Sequence, residues 1–234
     1  MGQPDLALGM MWYVLFLLAI TCHEAAHAWA ALKGGDPTAY DAGQVTLNPL
    51  PHIKREPMGT ILVPILSYLL AGWMLGWASA PYDRDWEDRY PRRAAWMALA
   101  GPCANLILTV LAGLLIHLGL WFGVFMQPES INFTQVVLPT GPGIWEGPAI
   151  LLSIMFVLNL LLTVFNLIPV PPLDGSTAIG IFMKPETVAS YREFIRNPTY
   201  SIIGLLLAWE LFDKVFPTVF HLALRALYPT AVYG

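Results

Sequence analysis

The chain has 234 residues, of which 56% are hydrophobic and only 12% are charged, with a formal net charge of −4 and a mean hydropathy of +0.58. These values exclude an ordinary soluble domain and indicate an integral membrane protein that crosses the bilayer several times. No basic run is dense enough to predict a nucleic-acid partner. Both cysteines fall in apolar segments, which argues against a disulfide framework.

Residues 6–33 predict the first membrane helix, since 28 residues rise about 42 Å, which exceeds the bilayer core. This helix contains a His-Glu-x-x-His motif. His23 and His27 are four residues apart and lie one turn apart on the same face, so they could bind one metal ion. Glu24 is close enough to take a proton from a metal-bound water. A charged residue at the centre of a membrane helix costs roughly 2.5 kcal/mol or more, which argues against an idle cluster.

Three later apolar segments predict further spans, giving about four in all: residues 94–126, 147–168 and 199–222. A short strand is predicted at Gln44–Leu47, between the first helix and the next apolar stretch. An extended peptide could pair with the edge of this strand. Residues 59–78 are also apolar, but their glycines and Pro64 weaken the prediction of a regular span.

The distribution of basic residues indicates the topology. Residues 34–58, 79–93 and 169–198 carry Lys or Arg, whereas residues 127–146 carry neither. Because basic loops stay cytoplasmic, the first three segments are expected on one side of the membrane. These three segments can lie on one side only if residues 59–78 form a re-entrant or partly buried hairpin, and both termini are then outside.

A catalytic zinc site usually has three protein ligands and one open position, and Asp174 is the candidate for the third. With this topology, Asp174 returns to the same side and depth as His23 and His27. Three prolines before it forbid a regular helix and would hold its carboxylate at a fixed depth. The alternative is an ordinary solvated aspartate at a helix end. His52 is either a further ligand or a solvated loop histidine.

Three motifs in this order resemble the site-2 protease family of intramembrane zinc metallopeptidases. They are His23-Glu24-Ala25-Ala26-His27, then Ala100-Gly101-Pro102 with Asn105, then Phe165-Asn166-Leu167-Ile168-Pro169 through Leu173-Asp174-Gly175. The chain looks closest to the short prokaryotic members without a PDZ domain. The resemblance covers most of residues 15–180 within a single membrane domain, 1–234, in which 199–222 add a C-terminal span. Ser79-Ala80 departs from the Lys-Pro that such members often have at this point.

The resemblance implies that His23, His27 and Asp174 bind one Zn²⁺ and that Glu24 is the general base. It implies cleavage of a membrane-protein substrate in or near its transmembrane segment. The expected location is the lipid bilayer of a prokaryotic cytoplasmic membrane, with the active site nearer the cytoplasmic side.

The asparagines of these apolar helices have two interpretations. Asn105 and Asn166 belong to the family motifs, and each could orient a ligand, hold the substrate backbone or form a hydrogen bond between helices. Asn159 is interpreted as a bond between helices.

Two other functions remain open: a scaffold that keeps the family fold without catalysis, and a metal-binding membrane protein such as a transporter. A transporter would need polar residues along several spans, whereas here they concentrate at one depth.

Overall fold

The computed structural model describes residues 5–229, and only the backbone of residues 185–186. Helices dominate this part of the chain. The helices are α1 (Leu6–Gly34), α2 (Thr38–Asp41), α3 (Pro49–Arg55), a π-helical turn (Met58–Leu62), α4 (Val63–Ala71), α5 (Arg84–Arg89), α6 (Pro91–Trp121), α7 (Glu146–Asn166), α8 (Asp174–Ala178), a 3₁₀ turn (Ile179–Phe182), α9 (Pro185–Ile195) and α10 (Pro198–Leu227).

Three of the described helices, α1, α6 and α7, are long and apolar enough to cross a membrane. α6 packs against both others, and α1 also contacts α7, so the three form one bundle. The N-terminus of α1 is capped by Asp5, whose carboxylate accepts hydrogen bonds from two backbone N–H groups, and Gly35 ends the helix in the left-handed conformation. The expectation of an all-α polytopic membrane protein is confirmed.

The predicted span at 199–222 lies within α10. This helix is long enough to cross a membrane, but it does not meet the criterion of high hydropathy and few charges that α1, α6 and α7 meet. Glu210, Asp213 and Lys214 fall near its middle. α10 packs against α7, in part through aromatic side chains such as Phe212, which contacts Phe165 at 5.6 Å between ring centroids. Length and apolarity together therefore identify three spans in the described part rather than four.

Residues 58–83 form the hairpin that the topology requires. The helical part, Met58–Ala71, has 14 residues and rises only about 21 Å, too short for a bilayer core of about 30 Å. The chain then returns without regular secondary structure, and the Trp77 N–H donates to Gly59 O at 3.1 Å. The Ser79 hydroxyl donates to Glu56 Oε1 at 2.6 Å, so the entry and exit of the hairpin meet.

The tip of the hairpin reaches the opposite end of the bundle. The Tyr68 hydroxyl donates to Asp5 O at 2.6 Å, and the Trp73 ring packs 5.8 Å from Phe133 in the loop after α6. The irregular segment that returns from the tip is therefore covered by protein over much of its length. Non-helical backbone inside a bilayer requires such cover.

The predicted strand at Gln44–Leu47 is wrong. These residues form a bend, and Thr46 O accepts a hydrogen bond from His52 Nε2 at 3.1 Å. No strand within residues 5–229 pairs with them, and Asn48 immediately caps α3 through a 3.0 Å bond from Leu50 N. The described part has one two-stranded sheet, between β1 (Phe125–Met126) and β2 (Leu138–Pro139), with Phe125 opposite Pro139 and Met126 opposite Leu138.

Ionic contacts fasten α9 to the segment that precedes α6. Arg196 binds Glu87 Oε2 at 2.6 Å and Asp88 Oδ1 at 2.7 Å, and hydrogen bonds from this guanidinium lower the pKa of Asp88. Arg192, which is buried, donates to the Glu87 and Pro91 carbonyls. This network fixes the chain beside the cavity described below.

The hairpin predicts that Lys54 and Arg84, both exposed, face one side of the membrane and Glu129 the other. Cys22 and Cys103 would first be replaced by alanine. Single cysteines at Lys54 and Arg84 should then react with an impermeant maleimide from the same side, and a cysteine at Glu129 from the opposite side. If the cysteines at 54 and 84 were labelled from opposite sides, residues 58–83 would cross the membrane.

Candidate metal and active site

α1 brings two imidazoles together in the interior of the bundle. His23 and His27 are 6% and 8% exposed, and their Nε2 atoms lie 3.0 Å apart. This closeness follows from the spacing of four residues, which stacks side chains one turn apart on the same helical face.

Asp174 joins the two histidines from the far end of the sequence. It follows the proline-rich turn after α7 and is the first residue of α8, which packs against α6. Its Oδ2 lies 3.1 Å from His23 Nε2 and its Oδ1 3.3 Å from His27 Nε2. The donor atoms of the three residues all lie within 4.8 Å of one another.

The outward nitrogen of each imidazole faces an acceptor. His27 Nδ1 lies 2.7 Å from Met97 O, and His23 Nδ1 lies 2.5 Å from Asn105 Oδ1. A carbonyl oxygen can only accept, so Nδ1 carries the proton, and in the neutral imidazole Nε2 is left unprotonated. Partners on Nδ1 of this kind are typical of histidines that bind metals through Nε2.

This donor set fits a cation. Two unprotonated nitrogens converge with a carboxylate, and Asp174 Oδ2 is buried without a hydrogen-bond partner among the described residues. Three acceptors without a proton between them repel one another unless a positive charge lies among them. Two histidines and one carboxylate are also a known ligand set of catalytic zinc sites.

Gly101 of α6 forms the wall beside the histidines. A Cβ at this position would lie 2.5 Å from His23 Nε2 and 2.7 Å from its Cδ2, and closer still to His27 Nε2. Only glycine therefore leaves the space next to both nitrogens open. The space is where a metal ion would be bound.

Glu24 lies beside this group and is 5% exposed. It lines a cavity of about 240 Å³ together with His27 and Asp174. Residues 78–82 of the returning hairpin and Glu87 also line this cavity. A buried carboxylate next to a candidate metal site and open to a cavity can act as a general base.

The structure does not bring two of the candidate residues to the site. Asn166 is half-buried and donates to Leu162 O of its own helix at 3.0 Å. His52 is buried rather than solvated, at 1% exposure, and ties α3 to the bend at Thr46. Neither makes a hydrogen bond to the group around His23 among residues 5–229.

Asn159 of α7 makes the predicted bond between helices, and its partner is Asn105, the residue that faces His23. Its Oδ1 accepts from Asn105 Nδ2 at 2.9 Å, which places it one residue behind His23. An amide inside an apolar helix is the only sequence signal for such a role, and that signal is shared by Asn166.

A methyl group at Gly101 should close the metal site. Gly101→Ala is expected to weaken binding of a divalent metal by more than about 100-fold, beyond the usual loss from one outer partner, because the Cβ would contact both Nε2 atoms. The measurement is metal content and affinity of the purified protein. Gly113→Ala is the matched control on α6, since the nearest heavy atom to its Cβ is 3.5 Å away. Equal metal binding by both variants would exclude this space as the metal position.

Comparison with known families places these residues in a wider context. The family model Peptidase_M50, described as peptidase family M50, matches residues 11–202. This match includes α1 from residue 11 onwards, all of α6 and α7, and Asp174. No PDZ domain is found within the described residues.

Similar proteins have names that agree with this match. The protein named "Putative zinc metalloprotease YwhC" from Bacillus subtilis is 36% identical over 182 residues, which are 76% of this chain and 72% of that protein. The protein named Rip2, with the same description, is 32% identical in Mycolicibacterium smegmatis over 74% of this chain and 57% of its own length. Rip2 of Mycobacterium tuberculosis strain H37Rv is 33% identical over 88% of this chain and 70% of its own length.

No solved structure matches the chain significantly. The family match nevertheless covers most of the sequence, and the resemblance seen in the motifs is confirmed. The chain belongs to peptidase family M50, the site-2 protease family.

Proposed function

We propose that this protein is an intramembrane zinc metalloprotease that hydrolyses a peptide bond in or near a transmembrane segment of a membrane-protein substrate. The observation that carries the proposal is the convergence of His23, His27 and Asp174 beside the buried carboxylate of Glu24. These groups lie inside a bundle whose three main helices have the length and apolarity of membrane spans. Ionisable residues in such a setting are expensive and typically functional.

The metal would be one Zn²⁺ bound by His23 and His27 through Nε2 and by the carboxylate of Asp174. The names of the similar proteins describe zinc metalloproteases, and the donor types suit zinc. When bound, zinc supplies Lewis acidity that polarises the scissile carbonyl and lowers the pKa of a water molecule to about 7.

Glu24 would move the proton. Its carboxylate takes a proton from the attacking water as the oxygen–carbon bond forms, and gives it to the nitrogen of the leaving amine as the carbon–nitrogen bond breaks. The exchange is balanced, because the products are one carboxylic acid and one amine. Because Glu24 is only 5% exposed, its carboxylate has little contact with bulk water, which strengthens its electrostatic interactions.

The substrate backbone would lie along residues 78–82. Among the hydrogen bonds of residues 5–229, none involves the backbone of this segment, although it lines the same cavity as Glu24 and Asp174. Free N–H and C=O groups beside a cavity can pair with an unwound peptide, as in strand addition. This segment replaces Gln44–Leu47 as the candidate edge.

The active site is proposed to be nearer the cytoplasmic side of a prokaryotic cytoplasmic membrane, within one protease domain, 1–234. The basic segments around Lys54, Arg84 and Arg192 lie at the same end of the bundle as the exit of the hairpin, and basic residues favour the cytoplasmic face. The substrate would reach the cavity from the bilayer or from this face.

Replacement of Glu24 by glutamine separates zinc binding from proton transfer. Glu24→Gln should keep about one zinc per chain, because none of the proposed ligands changes, and should lower cleavage of a membrane substrate by about 10²–10⁴-fold. The measurements are zinc content and cleavage rate in proteoliposomes. Glu129→Gln, in the exposed outer loop, is the matched control. Retained cleavage by Glu24→Gln would refute the general base, whereas a wild-type protein without zinc would refute the metalloprotease.

Proline at Ala80 tests the substrate edge. Ala80→Pro removes one backbone N–H from the cavity wall and should slow cleavage roughly fivefold, the effect of about 1 kcal/mol for one hydrogen bond, while zinc binding is unchanged. Ala80→Val keeps the N–H with a side chain of similar size and is the control. If both variants cleave at the same rate, the N–H of residue 80 does not bind the substrate.

A further inference from the structure

A chain of three hydrogen bonds crosses the bundle behind the metal site. It begins at Met155 O of α7, passes through the amides of Asn159 and Asn105, and ends at His23 of α1. Asn105 is fully buried and Asn159 is 1% exposed. In an apolar interior, amides with so little exposure are retained only with their polar atoms paired.

Carbonyl oxygens of α7 and α1 determine which amide atoms donate and which accept along this chain. Met155 O can only accept, so the Asn159 NH₂ group points to it, at 2.8 Å. Asn159 Oδ1 then accepts from Asn105 Nδ2 at 2.9 Å. The second N–H of Asn105 donates to Ala19 O at 3.2 Å. Both protons of the Asn105 amide are thereby used, and only its Oδ1 remains to face His23.

The orientation of the Asn105 amide decides the tautomer of His23. Oδ1 accepts from Nδ1–H, at 2.5 Å between the heavy atoms, which leaves Nε2 free to bind a cation. A reversed amide would present NH₂ to Nδ1, and the neutral imidazole would then carry its proton on Nε2, where it blocks ligation.

We infer that Asn159 is a positioning residue of the metal site, which acts through Asn105 to keep His23 Nε2 unprotonated and directed at the metal. This inference rests on the proposed function, because it assumes that the site binds zinc. Without Asn159, the orientation of Asn105 depends on Ala19 O alone, which is the longer of its two bonds.

A positioning role of Asn159 can be distinguished from a purely structural bond between helices, because α7 has a bond of the structural kind nearby. The Thr163 hydroxyl, one turn after Asn159, is buried and lies 2.8 Å from Asn159 O and 3.4 Å from Pro102 O of α6. It contacts the same two helices but makes no bond to Asn105 or His23 among the described residues. Thr163→Val is therefore the matched control.

The experiment measures zinc affinity of the full-length protein in nanodiscs by competition with a chelator. Asn159→Leu is expected to weaken zinc binding at least tenfold, within the range of about 10–100-fold for lost outer partners of metal ligands, whereas Thr163→Val leaves it within about twofold. Substitution with Co²⁺ adds a spectroscopic readout: the visible bands of the Asn159→Leu protein should shift, and those of Thr163→Val should not.

A double-variant comparison tests the route through Asn105. If Asn159 acts only through that amide, Asn105→Leu with Asn159→Leu should bind zinc no more weakly than Asn105→Leu alone. Additive losses would overturn the route. Unchanged zinc affinity and Co²⁺ bands in Asn159→Leu would overturn the positioning role itself.

A variant that fails to fold does not end the test. If Asn159→Leu does not fold, Asn159→Ser replaces it, since a serine hydroxyl can still bond Met155 O but is too short to reach Asn105. The expected changes in zinc affinity and in the Co²⁺ bands are then the same. If wild-type protein and His23→Ala bind zinc equally, the metal lies elsewhere and the proposed function fails, irrespective of Asn159.

Discussion

Polar atoms in the interior of a membrane helix bundle must be paired, because neither lipid nor apolar side chains offer hydrogen bonds. Around His23 and His27 this constraint is met on one side only. Both Nδ1 atoms face protein acceptors, Asn105 Oδ1 and Met97 O. Both Nε2 atoms face each other and the Asp174 carboxylate, of which one oxygen has no hydrogen-bond partner. Both Nδ1 atoms on the outer side of the imidazoles therefore have protein partners, whereas the acceptors on the inner side form a set that would suit a cation.

α6 and the hairpin pack closely around α1 and its two histidines. α6 approaches the histidines through Gly101, where a side chain would fill the space beside both nitrogens. The hairpin contacts α1 through Gly76, where a Cβ would collide with Phe16 and Pro64. Its return brings residues 78–82 to the cavity that Glu24 also lines. Backbone without internal partners is tolerated at such depth because protein covers one side and a cavity lies on the other.

Some features follow from sequence pattern because they depend on local geometry or on composition. The four-residue spacing of His23 and His27 is sufficient to place them on one helical face. The loop charges and the glycines of 59–78 were sufficient to predict a hairpin, and its short helix and its return to Glu56 agree with that topology. The strand at Gln44–Leu47 failed for the complementary reason: strand formation needs a partner, and whether one is adjacent is not a local property.

The sequence by itself determined the helical membrane class, the pairing of His23 with His27 and the family, since these depend on periodicity, hydropathy and motif order. Only the tertiary structure decided which distant polar residues meet. Asn105, Asn159 and Asn166 all lie in apolar helices, yet the first two form a chain to His23, and the third bonds to its own helix. The physical reason is that helix rotation and depth are set by packing among α1, α6 and α7. The sequence alone does not give these interhelical angles. The distance from Asp174 to the histidines therefore comes only from the tertiary structure.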